Sequence, residues 1–357
     1  MSYKFTINCL KFSLLGFFML FLQMGYAQTN KKNPKEIGLT QFEGLDAAVQ
    51  NNAKMLGGNA VTMLWTDTLV YKRELGEFDS KSLVPIGAAS QWLTAVLVMK
   101  FVEAGKISLD DKVSQYLPIY ECYGKGYITI RHCLAHFTGI QNDKGGIFGN
   151  KKFANLQEEV ESFAKKEIRA NAGEQFIYSH MGLSIAGRIL EIVSKKKFDM
   201  LIKQQLFNPL AMRKSTFSQL DGSAISPSTG AQSTAEEYMH FLTMLLNNGK
   251  YNGQQVLTEE SINELRRIET KPEQIKAQVK GMEGFNYALG SWVVEEGKDG
   301  MANVLSCTSL QGMWPMVDWC RGYALLVLVK TAQNEQRKEV FLRMKDAAEE
   351  KLPAKCR

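Results

Sequence analysis

Residues 86–95 read Ile86-Gly87-Ala88-Ala89-Ser90-Gln91-Trp92-Leu93-Thr94-Ala95. They open a long apolar run in which Leu93, Ala95, Val96, Leu97, Val98, Met99, Phe101 and Val102 leave the predicted helix over 88–104 almost no polar face. A helix that is apolar all round is a buried one. Gly105 stands where a left-handed cap would end it. The first turn of a buried helix is a natural floor for a site, and the rest of the chain reads as walls around it.

Working outward, residues 60–65 and 68–75 are two short strand-like runs around Thr66-Asp67, a hairpin pattern. Helical spacing of apolar residues marks 45–56 before them. From about 107 to 267 the signals are mainly helices and loops. Leu156, Val160 and Phe163 recur at helical spacing, as do Leu183, Gly187, Leu190 and Val193. Ser233 with Glu236 reads as a capping box for a helix over 234–248, and Thr258 as the cap of a shorter one. Residues 287–295, 301–308, 312–319 and 323–331 read as strands; 323–329 is continuously apolar, like a strand buried on both faces. Residues 335–352 form an amphipathic helix. The expected fold is α/β in the α+β sense. An antiparallel sheet is made by strands from both chain ends, flanked by helices, with a mainly helical region inserted at about 107–267 of a domain over 41–352.

Composition is that of a globular chain, with 45% hydrophobic and 22% charged residues. At 357 residues it can bury a large core. Lys4 and Lys11, the apolar run 12–22 and Gly25-Tyr26-Ala27 follow the pattern of a secretory signal cleaved near Ala27. The run falls short of the ~20 residues a spanning helix needs, so no stable transmembrane segment is expected after cleavage. Residues 28–40 read as a flexible leader. The formal charge of +6 is weak and dispersed, which argues against a nucleic-acid partner. Export would place the chain in the periplasm or outside the cell. There the cysteines Cys122, Cys133, Cys307, Cys320 and Cys356 can pair. Cys307 and Cys320 flank a hairpin-like segment and are either a bridge or buried free thiols. The spacing fits no zinc pattern, and no cofactor is expected.

Several landmarks in order resemble a known family. Residues 86–97 and the following Val102-Glu103-Ala104-Gly105-Lys106-Ile107-Ser108-Leu109-Asp110-Asp111 resemble the active-site helix and loop of serine β-lactamase-related proteins. These include class C β-lactamases, DD-peptidases and esterases. Leu134-Ala135-His136-Phe137-Thr138-Gly139-Ile140, Gly173-Glu174-Gln175-Phe176-Ile177-Tyr178-Ser179-His180 and Phe207-Asn208-Pro209-Leu210 are similar to later landmarks. The resemblance runs from about 44 to 352 and implies a β-lactamase/transpeptidase-like fold. Function has to be argued from the site itself.

The family's first motif is Ser-x-x-Lys, in which positions i and i+3 share a helix face and set an amine beside a nucleophilic hydroxyl. The resemblance places Ala88 at the serine and Gln91 at the lysine. Ser90 lies about 200° around the helix from Ala88 and should point away. The strings Ser162–Lys165 and Ser194–Lys197 fit the pattern by chance on solvent-facing helices. In the second motif Tyr178 keeps the tyrosine, and His180 stands at the asparagine. The Tyr178 phenol, without a lysine beside it, is expected to stay protonated. In the third, Cys307-Thr308-Ser309 replaces the cation, hydroxyl and glycine. Cys307 as a replacement nucleophile would need a base such as His180 within reach. His132 and His136, at i and i+4, lack a third ligand and read as structural.

The degenerate positions Ala88, Gln91, Tyr178, His180 and Cys307 therefore give no catalytic set. Gln91, Tyr178, His180, Thr308 and Ser309 are the candidate ligand contacts. The expected function is an exported, catalytically inactive relative that binds a cell-wall-peptide-like ligand, a small molecule or a partner. An active hydrolase with a rearranged site, of β-lactamase, DD-peptidase or esterase type, is the alternative. A structural or assembly role is a third.

Overall fold

The structure, a computed structural model, describes residues 36–142, 152–219, 222–277, 281–308, 312–330 and 337–356. The signal, most of the leader and Ser309 lie outside these. All the described residues belong to one unit, Lys35–Arg357.

One eight-stranded antiparallel sheet organises it. Strand Tyr323–Val329 is buried at every position and pairs on one side with Ala60–Trp65 and on the other with Met313–Asp318. Its run of Leu and Val, flanked by equally apolar neighbours, suits a strand with no solvent face. Leu69–Leu75 extends the sheet one way; Ala302–Ser306, Trp292–Glu296 and Asn286–Tyr287 extend it the other. The outermost strand beside Leu69–Leu75 is Glu36–Ile37, which pairs with Arg73 and Lys72. The end of the expected flexible leader is thus an edge strand, and Arg73 fixes it through Glu36 at 2.9 Å. Two-residue strands carry no periodic signal, which is why the composition read as leader.

The expected single strand over 287–295 is broken at residues 288–291. Gly290 has φ +77°, and a Cβ there would meet Ala95 Cβ at 2.7 Å and the Gln91 carbonyl at 3.0 Å. The break lets the sheet approach the central helix.

That helix, Ser90–Glu103, follows a tight turn at Gly87–Ala89 and is buried along nearly its whole length. Helix Ala235–Leu246 packs on the same side of the molecule, against the central strands. Its cap is Thr234, one residue later than the sequence suggested: Thr234 Oγ1 accepts from the Glu237 amide. Ser233 instead pairs with Ser215 at 2.8 Å. Thr258 caps Glu259–Arg266 as expected. The C-terminal helix Arg337–Glu349 lies with Glu43–Asn51 and sets Phe341 against Trp314. Each buried Leu, Val or Phe of this kind contributes about 1.5–3 kcal/mol.

A charge network anchors the C-terminal helix. Lys345 contacts Glu295 and Glu349, and Arg321 contacts Asp318, Glu295 and Glu349. The tail beyond it is tied back by a Cys320–Cys356 disulfide. This corrects the suggested Cys307–Cys320 bridge: Cys307 is a buried free thiol, as is Cys133, while Cys122 is an exposed one. Among the described residues no helix is long and apolar enough to cross a membrane.

Candidate functional site

The turn Gly87–Ala89 delivers Ala88 to a half-exposed position, while Gln91, one helical turn on, is 1% exposed. Gln91 is the hub of a closed polar cluster. Its Nε2 donates to the Tyr178 hydroxyl at 2.8 Å, and its Oε1 accepts from the Tyr287 hydroxyl at 3.0 Å. His136 Nε2 lies 3.0 Å from the same Oε1 and 3.1 Å from the Tyr287 oxygen. The Ser179 amide faces His136 Nδ1 at 3.4 Å. These partners assign the proton: Nδ1 accepts, Nε2 carries hydrogen, and the imidazole is neutral. Burial agrees, pushing His136 down to about 3.

Three distant elements make this cluster. His136 follows the short helix Ile130–Leu134 in a left-handed conformation, φ 60°. That backbone turn swings its ring inward, whereas His132 folds back on its own cap, its Nδ1 accepting from the Thr129 amide at 3.2 Å. The two histidines thus serve different purposes. Tyr178 follows strand Phe176–Ile177 and stacks on Trp292 with ring centroids 5.5 Å apart. Tyr287 ends strand Asn286–Tyr287, edge-on to the same tryptophan at 4.8 Å. Burial raises the Tyr178 and Tyr287 phenols far above their ordinary value, so both stay protonated. For Tyr178 the upward shift goes beyond what loss of a neighbouring cation predicted.

Cys307 closes the other side of the Ala88 turn, its thiol donating to the Ala88 carbonyl at 3.1 Å. Burial pushes this thiol up to about 12, partly opposed by a hydrogen bond from the Trp92 backbone. A thiol so placed is a hydrogen-bond donor, not a thiolate nucleophile. Thr308 is half-buried, with Oγ1 3.2 Å from Met282 Sδ. Ser90 points inward: its hydroxyl donates to the Gly87 carbonyl at 2.6 Å and accepts from the Ala231 amide at 3.1 Å. It cannot stand in for a nucleophile at Ala88.

His180 does not join the cluster. It precedes helix Met181–Ser194 and turns toward helix Leu156–Ala164, its Nε2 3.9 Å from Glu159 Oε1 and its ring edge-on to Phe163 at 5.3 Å. Gln91, Tyr178 and Cys307 are therefore brought together around Ala88, with Thr308 beside them and His180 apart. His136 and Tyr287 complete the site, and sequence reasoning did not assign either to it. The signal for His136 lay inside the quoted landmark 134–140; Tyr287 carried none beyond its strand.

The chain is similar in sequence and in fold to known proteins. The Beta-lactamase family model matches residues 45–349. The chain belongs to the Beta-lactamase family. It is similar to protein flp of Staphylococcus aureus (strain MW2), 28% identical over 139 residues covering 38% of this chain and 28% of that protein. It is also similar to penicillin-binding protein 4* of Bacillus subtilis (strain 168), 27% identical over 191 residues covering 52% of this chain and 42% of the other. The matches thus span less than half of either relative's length. Its fold resembles that of a beta-lactamase-type protein from Bacteroides dorei DSM 17855. The TM-score is 0.77 at 21% identity, over 87% of this chain and 98% of that one. The fold is β-lactamase/transpeptidase-like.

Proposed function

We propose that this chain is an exported, non-hydrolytic member of its family that uses the surface around Ala88 to hold a ligand or a partner. The observation that carries this reading is the state of Gln91. Its amide donates to Tyr178 and accepts from His136 and Tyr287, in a cluster that holds no charge. A serine hydrolase of this type needs a nucleophilic hydroxyl and a base that takes its proton. Ala88 supplies no hydroxyl, and an amide takes no proton. The protonated phenols and the thiol at Cys307 offer no substitute.

The ligand-facing surface on this reading is Ala88 and Thr308, with Gln91 and Tyr178 as the floor behind them. A cell-wall-peptide-like ligand is the class we favour, because a relative carries the name penicillin-binding protein. Export is supported by the N-terminal pattern and by the Cys320–Cys356 disulfide, a bond that persists in oxidising compartments.

Labelling with a fluorescent penicillin tests the chemistry. The natural protein should acquire no covalent label and should show no esterase or peptidase turnover. An Ala88→Ser, Gln91→Lys double variant that labels would fix the register of the lost motif. Stoichiometric labelling of the natural protein would overturn the reading and point to a rearranged hydrolase.

A further inference from the structure

Away from the cluster, one buried carboxyl group has no settled partner. Glu159 lies on helix Leu156–Ala164 with its side chain 13% exposed, and its Oε2 is buried without a hydrogen bond. Ser184, across on helix Met181–Ser194, is near enough to favour the charged form slightly but makes no well-formed bond to it. Among the described residues no lysine or arginine stabilises the carboxylate. Arg188, further along the same helix as Ser184, is engaged by Glu191 at 3.0 Å and Gln157 at 2.9 Å. Lys125 donates to the Ala164 carbonyl at 2.8 Å, at the far end of the Glu159 helix. Tyr120, on the segment packed against the other side, donates to the Val160 carbonyl at 3.0 Å. The basic group placed to answer Glu159 is His180, at 3.9 Å. The same imidazole meets Phe163, one turn along from Glu159.

Two side chains one turn apart on one helix thus grip a single imidazole at the start of the next. We propose that Glu159 and His180 form a protonation-sensitive latch that holds helix Leu156–Ala164 against helix Met181–Ser194. With its proton on, the Glu159 carboxyl is neutral beside the imidazole that lies edge-on to Phe163. When that proton leaves, a carboxylate remains in a buried site, and opening the helix relieves it by hydration. The latch also adjoins the candidate site, because His180 follows Ser179, whose amide faces His136.

The sign follows from the position of the group. Burial raises the Glu159 carboxyl to about 7 in the closed form, whereas an opened helix ionises near the ordinary carboxylate value. Closure is therefore strongest at acid pH, weakens as pH rises through this interval, and levels off above it.

Two measurements on the full chain test this. In the unmodified protein, the ¹³C signal of the Glu159 carboxyl should titrate with a midpoint at or above pH 6; a midpoint below pH 6 overturns the proposal. Amide exchange, corrected for intrinsic rates, should show the protection of residues 156–164 falling tenfold or more between pH 5 and pH 7.5. Residues 90–103 should not share the fall, and Glu159→Gln should remove it. An equal fall in both helices, or in the Glu159→Gln protein, would also overturn it.

Discussion

The side-chain oxygen of Gln91 accepts from two donors at once, His136 Nε2 and the Tyr287 hydroxyl, each at 3.0 Å. Removing that oxygen takes the acceptor from the Tyr287 hydroxyl and leaves His136 Nε2 only the Tyr287 oxygen at 3.1 Å, and a buried donor left unpaired costs about 1–3 kcal/mol. Gln91→Ala should therefore lower stability by roughly 2–4 kcal/mol in urea unfolding, with the cavity adding to the loss. A change under about 1 kcal/mol would mean that the cluster does not hold the helix start.

His136 gives the cluster a pH dependence of opposite sign to that of Glu159. Its folded value is depressed to about 3 by burial, against an ordinary value of 6.5. The stability it confers is complete above the ordinary value and is lost as pH falls from there toward 3, at about 1.4 kcal/mol per pH unit. Because Glu159 favours the folded form on acidification over part of the same range, the measurement belongs in the Glu159→Gln background. Urea midpoints there should drop by about 2 kcal/mol equivalent between pH 6.5 and pH 5. A His136→Gln change should flatten that slope, and an unchanged slope would refute the assignment.

The three free thiols of the described residues should separate by reactivity. Cys122 is exposed, whereas Cys133 and Cys307 are fully buried and burial raises both. In the chain without its signal, iodoacetamide at pH 8 should label one site per folded molecule, at Cys122, and reach the other two after unfolding. Prompt alkylation of Cys307 in the native protein would revive it as a nucleophile.

What was legible in the sequence was local. The 86–95 stretch announced a buried helix with an apolar body, and the structure buries it. The apolar run 323–329 announced a central strand, which it is. Ala88 and Gln91 stood where the resemblance expects a serine and a lysine. The partners of that amide were not legible, because they arrive through tertiary packing. His136 gets there by a left-handed backbone turn, Tyr287 by a sheet edge bent at Gly290. His180 read as a member of the cleft because it follows Tyr178 closely. The start of its helix turns it instead to a neighbouring helix. The disulfide escaped because Cys356 sits in a tail with no periodic pattern, and bridge partners are set by proximity.

Residues 60–65 pair with residues 324–329, and that pairing governs how the molecule is made. The hairpin that holds the first of these strands is synthesised long before its other neighbour. The middle of the sheet cannot assemble until both segments are available, so its formation waits on a long loop closure. Until then the strand at 60–65 carries an unsatisfied apolar edge, which is a hazard for aggregation. Such a topology suits a polypeptide kept unfolded until both segments have been made.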